Sequence, residues 1–245
     1  MELNQLQSSM IFVGQELKLP MVAGLETDVI AETEAFNMGY LYFGSSSDFV
    51  NTMNQTEGTI NVVSPTYFNL NSDGSLQLTN QTDRYFIASM QKSDVRVVPF
   101  LSNHWDREVG NAALENREQL SQQIADSIAL YNLDGINVDI ENITHENREE
   151  FTDFVRLLRE KVPEGKEVSV AVPANPTGSN LGWHGAYDYQ QLAQHSDYLM
   201  IMAYDESYAG GPAGPIASIG FAEQSIQFAL DHGVPKEKIV LGIGH

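Results

Sequence analysis

From about Phe36 onward, β-rich runs alternate with amphipathic helical stretches, and nothing else in the sequence narrows the choice of architecture as far. The runs are FNMGYLYFG (36–44), INVVSPTYF (60–68), VRVVPFLS (95–102), GINVDIE (135–141), VSVAVPA (168–174), YLMIMAY (198–204) and KIVLGIG (238–244). Between them, Leu120, Ile124, Ile128 and Tyr131 recur at helical spacing, as do Phe151, Phe154, Val155 and Leu158, with Thr144 as the expected N-cap. Ala222, Ile226, Ala229 and Leu230 mark a further helix, and His232, Gly233 and Pro235 supply stop signals. Strand–helix alternation of this kind makes a parallel sheet covered by helices. A length of 245 residues suits one (β/α)8 TIM barrel, an α/β fold. Such a barrel closes on eight strands, and seven are countable, so the expectation is a barrel truncated after strand 7. A doubly wound open sheet is the alternative, but no Gly-rich phosphate loop follows the first strand.

Composition removes several function classes. Lys and Arg number 13 against 33 Asp and Glu, for a formal charge of −20. Phosphate backbones and anionic lipid surfaces are repelled by such a chain, so neither nucleic acid nor membrane is expected as a partner. No run approaches the roughly 20 apolar residues that cross a bilayer. MELNQLQSSM lacks a basic region followed by an apolar run, so no secretory signal is visible. Cysteine is absent, which excludes disulfides, thiolate metal sites and cysteine nucleophiles. No HExxH spacing points to zinc and no G-x-S-x-G elbow to serine hydrolysis. Neither a metal nor any other cofactor is expected, and no obligate protein partner is.

The chemistry is concentrated in LDGINVDIEN (133–142). Side chains alternate faces along a strand. Ile136, Val138 and Ile140 then point to the helix layer, and Asn137, Asp139 and Glu141 point into the barrel. Lumens of this kind are normally filled by Val, Ile and Leu, so two inward carboxylates are costly unless paired or used. Residues i and i+2 lie roughly 6–7 Å apart, and two carboxyls that close resist joint ionisation, which raises one pKa. Glu141 is the upper residue, at the C-terminal mouth where these barrels keep their sites. It is placed to donate a proton near neutral pH, as glycosidic cleavage requires. Two other readings stay open: a half-exposed antiparallel strand, and a hard-cation site built from clustered Asp, Asn and Glu.

DGINVDIE resembles the DGxDxDxE signature of glycoside hydrolase family 18, the chitinases and related N-acetylglucosaminidases. Met202, Ala203, Tyr204 and Asp205 are similar to the family's M-x-Y-D, VSVAVPA to its fifth strand and FNMGYLYFG to its first. The likeness covers about 36–245, and the subgroup acting on bacterial cell wall and spore cortex carries a similar DGxNxDxE. The resemblance implies a substrate-assisted retaining reaction on glycans containing N-acetylglucosamine. Glu141 would protonate the glycosidic oxygen and later activate water. The substrate's acetamido oxygen would attack the anomeric carbon, Asp139 would orient that group, Tyr204 would hydrogen-bond its carbonyl and Asp205 would contact sugar. Asn137 stands where the general signature has Asp, and an amide cannot share a proton with Asp139. The family's eighth strand, with its sugar-stacking Trp, has no counterpart here.

Weaker candidates surround this centre. Asn137 on the fourth strand, Asn175, just past the fifth, and Tyr67, ending the second, are expected to touch substrate. Trp105 and Trp183 can stack on sugar faces or simply pack in loops, and Asn103 and His104 end the third strand on the mouth side. His145, His184, His195 and His232 are expected at the surface. Residues 1–20 resemble the second half of a LysM module, through Ile11, Gly14, Gln15, Leu17, Leu19 and Pro20. Residues 21–34 are expected to be a linker and 35–245 the barrel. Together these features lead to an extracellular enzyme of the cell wall or spore surface that acts on peptidoglycan or cortex glycan. Chitin hydrolysis and an inactive sugar-binding barrel are the alternatives.

Overall fold

The computed structural model describes residues 36–208 and 210–244, and its compact unit begins at Phe36. The LysM-like stretch and the expected linker lie outside the described residues. In chain order the elements are β1 (Met38–Leu41), α1 (Ser46–Gln55), β2 (Val62–Pro65), β3 (Phe68–Leu70), β4 (Leu76–Leu78), α2 (Arg84–Lys92), β5 (Arg96–Val97) and β6 (Phe100–Ser102). They continue as α3 (Arg107–Glu115), α4 (Arg117–Tyr131), β7 (Gly135–Asp139), α5 (Arg148–Lys161), β8 (Glu167–Pro173), α6 (Tyr189–His195), β9 (Tyr198–Met202), α7 (Ile219–Asp231) and β10 (Ile239–Gly242).

Every neighbouring pair in this wall is parallel except β3–β4. The order is β1-β2-β5 in one sheet and β10-β9-β8-β7-β6-β3-β4 in the other. The two sheets are one wall interrupted twice. β2 runs on into β3 after a tight turn in which Tyr67 N–H donates to the Pro65 carbonyl, and β5 runs on into β6 across Val98 and Pro99. A proline cannot donate to a ladder, so the second and third expected strands each appear as two short pieces. Among the described residues, β1 and β10 each pair on one side only.

One short strand and four helices go beyond the sequence reading. β4 folds back on β3 through a turn closed by Gly74, at φ +77°. A Cβ there would overlap the Ala112 backbone, which only glycine avoids. Helices α1, α2, α3 and α6 are short, and α1, α2 and α3 start at caps from Ser45, Asp83 and Asp106. Thr144 does cap a helix start, but of a 3-10 turn (His145–Asn147) that leads directly into α5.

The strand faces sort as alternation requires. Ile136, Val138 and Ile140 are fully buried in the main core with Val168, Val170, Val172, Leu199 and Ile201, packed on Phe151, Phe154 and Leu158 of α5. The opposite faces make the lumen: Ala171, Tyr198, Met200 and Met202 cluster with Met38 and Tyr204. Register aligns Phe100, Asn137, Ser169 and Tyr198 in one layer across β6 to β9.

Candidate active site

Three inward positions of one strand set up the site. Asp139 ends β7, and Glu141 follows two residues later at the same face. Both are half-buried. Burial raises the pKa of Asp139. Burial also raises that of Glu141, and the charges of Asp139 and Asp205 raise it further. An isolated carboxyl shut away from water favours its neutral form, and a second carboxylate adds to that preference. The Oδ1 of Asp139 is buried and has no hydrogen-bond partner.

Tyr204 follows β9 and faces the same space. Burial raises its pKa, and so do the negative charges of Asp139, Glu141 and Asp205. Glu141 and Tyr204, both expected from the sequence, thus each feel the charges of Asp139 and Asp205. Asp205 is exposed at the rim, in left-handed geometry with φ +59°.

The backbone beneath Glu141 is held by a side chain. Asn103 is buried; its Nδ2 donates to the Glu141 carbonyl at 2.8 Å, and its Oδ1 accepts from Glu141 N–H at 2.8 Å. Asn103 therefore positions Glu141 and is not a sugar contact. Tyr187, fully enclosed between the sheet and α5, donates to the Ile140 carbonyl at 2.8 Å and so steadies the same turn. Asn142, at φ +57°, accepts from Arg107 through both its carbonyls and donates to the Trp105 carbonyl at 2.8 Å.

Aromatic groups edge the mouth. Trp105 is half exposed and meets Trp183 edge-on, with centroids 4.9 Å apart. Tyr42 stacks on Phe100, and its hydroxyl lies 2.6 Å from Nδ1 of His104, whose Nε2 lies 3.0 Å from Asn69 Oδ1. The charges of Asp139 and Glu141 help raise the Tyr42 pKa, after burial. Tyr40 and Tyr42 were legible in the first strand's alternation, since Met38, Tyr40 and Tyr42 share one face.

Three expected substrate contacts are placed elsewhere. Asn137 is fully buried under the site, with its amide shared between Tyr40 and Ser169. Asn175 is 2% exposed, and its amide is spent on its own loop through Ser179 N–H and carbonyl. Tyr67 is enclosed in the outer core with Phe68, Phe86 and Ile87. Asn137 lies mid-strand and bonds other side chains of the lumen, whereas Asn175 and Tyr67, near strand ends, serve their own loop and the core. The histidines divide as well: His104 joins the Tyr42 chain, and burial lowers the pKa of His184.

An α/β barrel wall with two raised carboxyls and a tyrosine at the C-terminal mouth of its strands is the frame of a glycosidase. The family model for glycosyl hydrolases family 18 matches residues 38–245, and the chain belongs to that family. The cortical fragment-lytic enzyme of Bacillus subtilis is 27% identical over 182 residues, 71% of this chain and 42% of that protein. YdhD of the same organism is 34% identical over 146 residues, 58% of this chain and 34% of that protein. The chain thus spans less than half the length of these two relatives. Among solved structures, the Bacillus cereus spore cortex-lytic enzyme SleL superposes with TM-score 0.78 at 21% identity, covering 99% of this chain and 56% of that one. The Chromobacterium violaceum chitinase follows at 0.75 and 22%, covering 85% and 68%. Among the described residues, no helix is long and apolar enough to cross a membrane.

Proposed function

We propose that this chain cleaves β-1,4 bonds next to N-acetylglucosamine in peptidoglycan or cortex glycan, by a retaining, substrate-assisted route. The observation that carries this reading is the pair at the C-terminal end of β7: a half-buried Glu141 whose pKa burial raises, just past the strand, beside an Asp139 whose inner oxygen has no donor. Glu141 holds its proton toward neutral pH and delivers it to the glycosidic oxygen. The substrate's 2-acetamido oxygen closes on the anomeric carbon, so the protein supplies no nucleophile. Asp139 receives the acetamido N–H on its free oxygen and holds the group against the sugar. Tyr204 donates to the acetamido carbonyl from β9. Glu141, now ionised, takes the proton of the water that opens the ring intermediate. Asp205 and Trp105 contact sugar at the rim.

The cortex- and spore-directed names of several relatives support cortex glycan or the related peptidoglycan over chitin, and support action outside the cell, at the wall or spore surface. Incubating the protein and Glu141→Gln with peptidoglycan and with chitin oligomers, then measuring new reducing ends, tests the reading. Release from peptidoglycan by the unaltered protein should fall at least ~1000-fold in the variant. Release from chitin alone would reassign the substrate. Binding without release by both proteins would make the barrel a lectin.

A further inference from the structure

Two segments meet beside Glu141. One is the loop from β6 into α3, residues 103–107, and the other is the turn Glu141–Asn142 just past β7. Asn103 grips the backbone of Glu141 from both sides, and a second set of bonds grips the next residue. Arg107 donates from Nε to the Asn142 carbonyl and from Nη2 to Asn142 Oδ1, each at 2.8 Å. Asn142 Nδ2 in turn donates to the Trp105 carbonyl, also at 2.8 Å. Asn142 therefore joins the residue that carries the proposed proton donor to the backbone of a half-exposed indole.

The amide of Asn142 has one possible orientation. A guanidinium only donates and a backbone carbonyl only accepts, so the amide oxygen must face Arg107 and the NH2 must face Trp105. A carboxylate could not donate to the carbonyl, and an aliphatic side chain would serve neither end. The backbone makes a third demand. Asn142 sits at φ +57°, a region that asparagine enters more readily than most side-chain-bearing residues. Trp105 sits at φ +64°, which is uncommon for so bulky a residue. Such a conformation persists only where the surroundings enforce it. Here the enforcing bonds are the one from Asn142 and the one from Asp106 N–H to the Asn103 carbonyl at 2.9 Å, which closes the loop around the tryptophan.

We infer that Arg107 and Asn142 are positioning residues: they latch the loop of Trp105 to the turn of Glu141, so that a sugar stacked on the indole meets the Glu141 proton at a set distance. The inference deepens the hydrolase reading and rests on it for its catalytic meaning. Neither residue needs to touch substrate. Arg107 is exposed, so loss of the latch should leave the core intact. Turnover is far more sensitive, because a misplacement of about 1 Å between reacting groups can cost on the order of 100-fold in rate.

Asn142→Asp keeps the oxygen for Arg107 but sets a carboxylate against the Trp105 carbonyl, and Asn142→Gly keeps the backbone conformation while removing both side-chain links. Two measurements read the result. Trp105 and Trp183 are the chain's two tryptophans, and their edge-on rings should give a coupled circular-dichroism signal, assigned by its loss in Trp183→Phe. Both Asn142 variants should lose most of that signal while staying folded. On whichever glycan the unaltered protein cleaves, kcat should fall about 10–100-fold in Asn142→Asp, Asn142→Gly and Arg107→Ala, with most of the loss in kcat/KM carried by kcat. Arg107→Lys should not restore it, since one ammonium cannot span both oxygens as the guanidinium fork does. Arg156→Ala, which breaks a comparable surface pairing with Asp153 and Glu160 on α5, should leave signal and rate unchanged. A folded Asn142 variant with the full tryptophan signal overturns the inference, and so does a rise in KM at constant kcat or an equal loss in Arg156→Ala. The dichroism needs no turnover: a protein that releases nothing from either glycan loses the hydrolase reading, while the hold of Asn142 on Trp105 is still decided by that signal.

Discussion

At the scale of single residues, the octapeptide DGINVDIE divides its work along its length. Asp134 is structural: its Oδ2 accepts from Val97 N–H at 2.9 Å and from Gln91 at 2.8 Å, tying the start of β7 to its neighbours. Asn137 serves the lumen, and Asp139 and Glu141 face the cleft. Alternation alone was enough to place the last three, because a two-residue period leaves no choice of face. It could not show that Asn137 lies too deep to touch sugar, since depth depends on how far up the strand the loops rise. Nor could spacing reveal Asn103, whose partner is 38 residues away. The raised carboxyls also make stability depend on pH. Burial lifts the folded-state pKa of Asp139 above its unfolded value, so the folded protein holds that proton longer. That contribution is complete at acid pH and is lost as pH rises through the folded-state pKa. Asp139→Asn should therefore raise stability at neutral pH, by on the order of 2 kcal/mol, with the gain vanishing near about pH 4. Denaturant unfolding of both proteins at the two pH values measures it.

At the scale of elements, the sequence was most readable where side chains repeat and least where backbone geometry decides. Five expected strands, β1 and β7 to β10, and the long helices α4, α5 and α7 follow from their apolar periods, because parallel strands are covered on their outer face and buried helix faces must match. The interruptions at Pro65 and Pro99 and the β3–β4 hairpin depend on turn geometry and missing donors, which periodicity does not register. The entry to β7 is the tightest such place. Gly135 lies against the Glu167 carbonyl on β8, where a Cβ would overlap it, and its φ of +155° is one that side-chain-bearing residues rarely adopt. Gly135→Ala should cost about 2–4 kcal/mol in unfolding free energy and push β7 away from β8. A comparable loss from Gly165→Ala, which has open space around it, would contradict the close-approach explanation and leave only backbone strain.

At the scale of the whole molecule, charge matters more than shape for encounter with substrate. The formal charge of −20 sits on a chain with 13 basic residues, and a peptide-bearing glycan carries free carboxylates of its own. Like charges slow approach until salt screens them over about 8–10 Å. The rate on peptidoglycan at low substrate should therefore rise severalfold between about 10 mM and 150 mM salt, whereas the rate on neutral chitin oligomers should stay flat. Equal salt response on the two substrates would remove electrostatic repulsion as a factor. This acidity was plain in the composition, but its meaning depended on the fold and family, because surplus surface charge by itself specifies no partner.

His104, Trp105, Asn142 and Asp205 all hold left-handed backbone geometry, and all lie just past the ends of β6, β7 and β9. Such geometry costs on the order of 1 kcal/mol for each side-chain-bearing residue, and it persists here against the grip of bonds such as those around Asn142. The rim is consequently a tensioned spring. Replacements that slacken it would make a hardier protein with a less faithful mouth, so selection for thermal robustness and selection for turnover pull these four positions in opposite directions.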